Sequence, residues 1–521
     1  LKKPRAKRGR SKTVTEAAVP PRLATDVVAW IVIVIAAVLI IAALGQRCLW
    51  QDEAETAMLG RNILKFGRPI AFDGVNLVSQ EVGRELDAQR LWRWSPWIQF
   101  SIAAAGMKWL GLNAFGARLP FAILGILTLP LTYLGAARAF ASRAAARLAV
   151  IALAASVPFL LHVRQARWHA PSYVLAALLI IATLAMRTRW GVALFVAAGA
   201  ALFYTNYFVA IAFIAALVAA SIVLDRSREF LTHMAIALLA TALLCVPGIL
   251  FFHVLSRGAG GSAQVGAQLR IYFIQFCTFI APLPLLIVAP LLAPRESRRP
   301  LVFLFALIVL YIAAISFAPW RMFRYLTPIF PVAAMILGAT IAWLMQRSRN
   351  AGVVALTLLA ATTLLHQIPF GIGEAAGTQQ AEPRFLPLVG YIGELLNGVR
   401  DADCVVVDHL RKNALPGDNV VATYGDLPIM FHTGLRTGGG LAGQPLPDAP
   451  EWIVFHPFRV SDDPMKDARV IEWARHRVDL ARYVEALAVA DPMLSNAPDP
   501  AFHRFSDDAA ARELKLLHRV R

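Results

Sequence analysis

The chain has 521 residues, of which 58% are hydrophobic and only 16% charged, and its mean hydropathy is +0.58. That composition excludes a soluble globular protein of this length and defines a polytopic α-helical membrane protein. Lys and Arg number 51 against 33 Asp and Glu, a net charge of +18. The basic residues lie in short connectors between apolar runs, which is a pattern of membrane topology and not of nucleic-acid binding.

Residues 1–25 form a basic tail, "LKKPRAKRGRSK" at its start, suited to anchoring at the cytoplasmic leaflet. The run from Val27 to Leu44 is too long for a signal-peptide core and reads as a retained signal anchor. Where it stops, "CLWQDEAETAMLGRN" (48–62) places Asp52, Glu53 and Glu55 in four positions. Asp52 and Glu55 have a capping-box spacing, so Asp52 could be the N-cap of a helix through "EAETAMLGRNILKF". An N-cap is also a rigid way to hold a reactive carboxylate.

Apolar runs follow at 117–137, 147–163, 171–186, 190–204, 208–224, 230–255, 271–292, 300–317, 325–345 and 352–367, with boundaries good to a few residues. Segment 96–112 decides the topology. As a span it would put the arginines of 136–147 outside the cell. As an interfacial amphipathic helix it leaves every Arg-rich connector on one side: Arg138, Arg143 and Arg147; Arg187 and Arg189; Arg226 and Arg228; Arg295, Arg298 and Arg299; Arg347 and Arg349. About eleven spans result, with the N-terminus inside and the C-terminus outside. The membrane domain then covers 26–369 with a large first outer loop at 46–116, and 370–521 is an extracytoplasmic α/β domain.

In that last part "DCVVVDHLRKNALPGD" reads as a helix and turn, "NVVATYG" and "EWIVFHP" as strands, 466–490 as helical or mixed, and "ADPMLSNAPDPAFHRF" as a loop. "RTGGGLAG" (436–443) lacks nucleotide-fingerprint spacing and reads as a flexible loop. The four cysteines have no metal-like spacing. Cys245 and Cys277 sit in apolar runs as small hydrophobes, and a Cys48–Cys404 disulfide is left open.

Several arginines break the positive-inside pattern by falling in outer connectors: Arg164 and Arg167, with His169, in "HVRQARWHAP"; Arg321 and Arg324 in "APWRMFRYLTP"; Arg93 in "RLWRWSPW"; and Arg257 and Arg270 about a Gly-rich loop. Lipid headgroups or the loop carboxylates could hold each of them. As a set facing a carboxylate-rich loop they suit an outer-leaflet phosphate. That arrangement fits transfer of a sugar from a lipid phosphate: an aspartate takes the proton of an acceptor hydroxyl while arginines receive the departing phosphate.

At "WQDEAETAMLGRNILKFGRPIAFDG" (50–74) the sequence resembles the polyprenyl-phosphate-dependent glycosyltransferases of the C fold (GT-C), which include protein O-mannosyltransferases and lipid A aminoarabinose transferases. The resemblance continues through "RWSPWIQFSIAAAGMKWLG", "GARLPFAILG", "RQAR" and "RYLTPIFP", over residues 25–345. It implies Asp52 as catalytic base and Glu53 as a second catalytic-site carboxylate that positions donor or acceptor. Where relatives carry Lys-Pro-Pro or His-Pro-Pro, this chain has "RWSP", with Arg93 as substitute; where aminoarabinose-type enzymes carry an Asp, it has "WHAP", with His169 as stand-in.

The expectation is therefore an enzyme of the bacterial inner membrane, inverting, with a polyprenyl-phosphate sugar and an envelope lipid, glycan or protein as its partners. The donor phosphate would lie against Arg164, Arg167, Arg321, Arg324 and Arg93, and Glu55, Asp73, His169 and Trp94 are candidate acceptor or sugar contacts. No cofactor is required, and a divalent metal held by Asp73 with Asp52 and Glu53 is the lesser alternative. His233 and His253 read as interior histidines, and Trp92, Trp94 and Trp97 as interface anchors. The rival function is a flippase for a lipid-linked sugar, against which stand the lack of an internal repeat, of midspan charge and of a pair of broken helices. A non-catalytic anchor for the C-terminal domain would not need so many spans.

Overall fold

The structure, a computed structural model, describes residues 21–256, 262–318, 321–367, 387–398, 401–458, 465–491, 499, 503 and 512–520. Most of the basic tail, Arg257 and most of the "ADPMLSNAPDPAFHRF" loop lie outside the described residues. The chain is a helical membrane protein with a small C-terminal sheet. Among the described residues, four helices are long and apolar enough to cross a membrane: Ala114–Phe140, Arg228–Phe251, Arg295–Ile315 and Phe323–Arg347.

Two more candidate spans are bent pairs, Arg143–Ala154 with Val157–Val163 at 67°, and Gln264–Phe279 with Leu283–Leu292 at 81°. Five shorter apolar helices complete the set. Helix length thus supports four spans among the described residues, or six with the bent pairs, and does not by itself establish the expected eleven. The bent pairs also correct the expectation that no helices are broken. Pro158 follows one break and Pro282 sits in the other, and proline both lacks an N–H and disfavours helix in the residue before it.

Phe330–Arg347 runs through the middle of the bundle and is buried along most of its length. It packs against Arg143–Ala154 so closely that a Cβ on Gly338 would lie 2.3 Å from the Ala149 nitrogen. At one end of the bundle the Arg-rich connectors meet. Asp26 caps Val27–Ile41 and also binds Arg147 at 2.8 Å and the Tyr133 hydroxyl at 2.7 Å; Arg187 pairs with Asp225 at 2.6 Å. The first loop lies at the other end. There Gln51–Phe66 packs against the helix Ile98–Leu110, whose Phe100 carbonyl would be 2.9 Å from a Cβ at Gly60. Gly67, with φ of 72°, ends the first of these helices in the left-handed conformation that glycine tolerates.

After the bundle, Pro387–Asn397 returns to it, the Tyr391 hydroxyl donating to the Leu39 carbonyl at 2.8 Å. The sheet that follows comprises β1 (Asn419–Ala422), β2 (Arg436–Gly439), β3 (Trp452–Phe455), β4 (Tyr483–Asp491) and β5 (Arg512–Arg519). Its order is β2-β1-β3-β5-β4, with β1 parallel to β2 and β3 and the β3–β5 and β5–β4 pairs antiparallel. Val420 and Ala422 face the helix Ala402–Asn413, while Val421 faces Asp467–Arg477, so alternate residues serve opposite layers. Segment 466–490 divides into that second helix and β4.

The glycine-rich segment expected as a flexible loop contains strand β2. Pairing with β1 supplies its order, although Thr437 is the one β-branched residue in it to signal a strand.

Candidate active site

Asp52, Glu53 and Glu55 open the helix Gln51–Phe66, and all three are buried. The N-cap is Trp50, with no side-chain cap bond, so Asp52 does not serve as the N-cap that its spacing allows. Each carboxylate is instead claimed by an arginine from another element. Asp52 Oδ2 binds Arg324 Nη1 and lies 3.3 Å from Arg167 Nη2, while Gln80 Nε2 donates to Oδ1 at 3.2 Å. Burial opposes ionisation of Asp52, but the charges of Arg324 and Arg167 outweigh it and hold the carboxyl below the usual aspartate range.

Glu55 shares two of these partners. Arg167 Nη1 donates to its Oε1 at 2.9 Å and Gln80 Nε2 to its Oε2 at 2.7 Å. Burial, reinforced by the Asp52 charge, pushes the Glu55 carboxyl up to about 7 against the pull of Arg167. Gln80 is presented by a tight turn whose amides, at Gln80 and Glu81, donate to the buried Glu85 at 2.6 and 2.8 Å. Asp52, Glu55, Gln80, Arg167 and Arg324 line one cavity of about 340 Å³, with Trp94, Trp168, Tyr325 and, from the C-terminal domain, Leu441 and Lys466. Lys466 pairs with Glu81, also on the cavity lining, at 2.9 Å.

The structure therefore brings Asp52, Glu55, Arg167, Arg324 and Trp94 together and moves the other candidates elsewhere. Glu53 is fully buried outside the cavity. Arg118 grips both its oxygens, at 2.8 and 2.5 Å, and the Ala166 amide donates at 2.7 Å, so it holds the "RQAR" turn and does not line the cavity. Arg164 donates to the carbonyls of Leu39, Ile40 and Ala42 at 2.7–2.9 Å, closing the end of Val27–Ile41. It lines a separate, smaller pocket with Arg47, Arg118 and Glu394.

Arg93 stacks 3.8 Å over the Phe251 ring and binds Asp87 at 3.0 Å, and Arg321 is exposed outside the cavity. Asp73 accepts from Arg61 at 2.8 Å and from the amides of Val75 and Asn76, away from Asp52, so these two do not form the metal pair considered above. His169 is buried against Trp168 and His162, and neither ring nitrogen has a hydrogen-bond partner among the described residues. Trp92 and Trp97 pack inward, the indole of Trp97 donating to the Trp92 carbonyl at 3.0 Å.

Sequence reasoning missed four residues that shape the site. Arg118 lies in the "GARLP" motif at a span entrance, and an arginine there is itself a signal. Gln80, Asp426 and Lys466 carry no such mark. The buried Cys48 does pair with Cys404, their Cα atoms 5.4 Å apart.

The bundle, the first loop and the appended sheet together make the GT-C glycosyltransferase fold. The chain is similar to the crystal structure of ArnT from Cupriavidus metallidurans bound to undecaprenyl phosphate, with a TM-score of 0.58 and 13% identity over 94% of this chain and 98% of that one. The same protein in its apo state gives a TM-score of 0.57 and 14% identity, covering 94% and 97%. The Archaeoglobus fulgidus oligosaccharyltransferase in complex with Zn and sulfate is a more distant likeness, with a TM-score of 0.43, 12% identity, and 81% and 67% covered. No family model matches the chain, and no curated protein matches it in sequence.

Proposed function

We propose that the chain is a membrane glycosyltransferase that moves a sugar from a polyprenyl phosphate to a hydroxyl of a cell-envelope acceptor. The observation that carries this reading is the Asp52 carboxylate held between Arg324 and Arg167 in the cavity at the loop end of the bundle. The acceptor oxygen attacks the anomeric carbon as its proton passes to Asp52. The bond from that carbon to the phosphate oxygen breaks, and Arg324 and Arg167 receive the phosphate's charge. One displacement inverts the anomeric centre. In the resting site both arginines face Asp52. A phosphate competing for them raises the basicity of Asp52 at the moment the donor is in place.

An apolar groove of about 570 Å³, lined by Phe273, Phe276, Leu286, Phe305 and Ile312 with a single Arg270, fits a prenyl chain. It lies along the helix whose Tyr272 hydroxyl receives the Met322 amide at 3.2 Å, two residues from Arg324. ArnT bound to undecaprenyl phosphate is a protein of this fold with such a lipid. An inner-membrane location with first loop and C-terminal domain outside agrees with the grouped arginine connectors and with the disulfide, which needs an oxidising compartment. No metal has a role in this mechanism.

The test compares envelope lipids, polysaccharides and proteins by mass spectrometry in cells with and without the gene. One sugar should disappear, return with wild type, and stay missing with Asp52→Asn. Its return with Asp52→Asn refutes the base assignment. That result would favour the flippase reading, for which the two bent helix pairs are the structural argument.

A further inference from the structure

The residues just before Asp52 are fastened to the C-terminal domain, not to the bundle alone. Cys48 is bonded to Cys404, the Leu49 amide donates to His432 Nε2 at 3.0 Å, and Gln51 Nε2 donates to Asp426 Oδ1 at 2.8 Å. Trp50 between them is the N-cap of the helix that carries Asp52. The last of these ties is the most specific. Asp426 is completely buried, its Oδ2 has no hydrogen-bond partner among the described residues, and it does not line the cavity.

Its pocket is built for it. Gly425, with φ of 73°, turns the chain into the helix Asp426–Thr433. Gly440, with φ of 55°, leaves room that a Cβ would fill at 2.2 Å from the Asp426 carboxyl carbon. The neighbouring Leu441 lines the cavity and accepts the Val82 amide at 3.3 Å. Against the cost of burial, the Gln51 side-chain amide and then the backbone amides of Asp426, Leu441 and Ala442 favour its charged form, and a buried carboxylate so held is a strong and directional acceptor.

The geometry points to Asp426 as a positioning residue that orients Asp52 through Gln51, an inference that rests on the transferase reading above. The C-terminal domain is then a working part of the active site. It holds the first turn of the Asp52 helix through Gln51, independently of Arg324, so the base stays in place when the arginines turn to a phosphate. Because misplacing a reacting group by about 1 Å costs ~100-fold, a partial loosening by truncation of Asp426 is expected to cost ~10-fold in kcat.

The test uses full-length protein in membranes of a gene-deletion strain, fed the strain's own labelled polyprenyl-phosphate-sugar extract at increasing concentration. Asp426→Ala should lower apparent kcat by ~10-fold and leave apparent KM unchanged. Asp426→Asn, which keeps an acceptor for Gln51, should return to within ~2-fold of wild type. Gln51→Ala combined with Asp426→Ala should be no worse than the poorer single variant, because the two act as one unit. Equal losses for Ala and Asn, a change confined to KM, or additive losses would overturn the inference.

Non-reducing electrophoresis reports whether Cys48–Cys404 forms in each variant. Should Asp426→Ala fail to fold, Gln51→Ala and Asp426→Asn decide the matter by the same readouts. Asp52→Asn in the same assay separates the two levels. If the wild-type protein transfers no label the transferase reading fails; if Asp52→Asn stays active the base assignment fails; if Asp52→Asn is dead while Asp426→Ala keeps its kcat, only the positioning role fails.

Discussion

Replacing Arg118 by Met should destabilise the chain more than any other single arginine change at the loop end. All five of its N–H groups are used: two go to Glu53 at 2.8 and 2.5 Å, and three to the carbonyls of Leu44, Arg47 and Cys48 at 3.0, 2.9 and 2.7 Å. Without it Glu53, which is 0% exposed, keeps a single donor, the Ala166 amide. Leaving one member of a buried ion pair costs about 3–5 kcal/mol. The freed carbonyls add less, since Leu44 and Arg47 border a pocket of about 180 Å³ that water can enter.

The pairing with Glu53 predicts a partial reversal. Arg118→Met with Glu53→Gln removes the stranded charge, so the double variant should recover at least ~2 kcal/mol over the sum of the single changes. Reversible unfolding in mixed micelles titrated with SDS, followed by tryptophan fluorescence, measures both quantities. A loss below ~1 kcal/mol for Arg118→Met, the range of an exposed pair, would refute the reasoning.

Glu55 titrates near 7 in the folded chain against 4.5 for an ordinary glutamate, so the native state holds its proton more tightly. Wild-type thermal stability should fall as pH rises from about 4.5 to about 7, and Glu55→Gln should lack that fall. His456 behaves with the opposite chemistry: burial lowers its affinity for a proton, but the carboxylates of Asp403 and Asp491, which accept from its ring, win and raise it to about 9. The stability it lends is complete below pH 6.5 and lost as pH rises through about 9, a loss that His456→Gln should abolish in pH-dependent melting. Alkylation of the native protein followed by mass spectrometry should find Cys48 and Cys404 unmodified until reduced. Cys245 and Cys277, both buried, should react only after unfolding. Gly338→Leu should destabilise the bundle by more than ~2 kcal/mol in the same SDS titration, since the clash is with backbone of a packed helix.

The sequence alone determined the class of protein, the positions of the apolar helices and the carboxylate cluster, because each is a local signal. Apolar run length, arginine placement and three acids in four positions need no knowledge of what lies opposite. It also led to the fold, through motifs spread across the membrane domain. Only the tertiary structure decided which carboxylate faces the cavity. Asp52 and Glu53 are adjacent and chemically alike, yet helical geometry points one at Arg324 and Gln80 and the other at Arg118. The five arginines proposed for phosphate divided in the same way, Arg167 and Arg324 entering the site while Arg164, Arg93 and Arg321 went elsewhere. Arg164 and Arg167 belong to one turn whose two faces serve different pockets, and nothing in their spacing could tell them apart. The ties from Cys404, His432 and Asp426 span more than 350 residues of sequence, and a contact between such distant segments is set by packing, which no local pattern records.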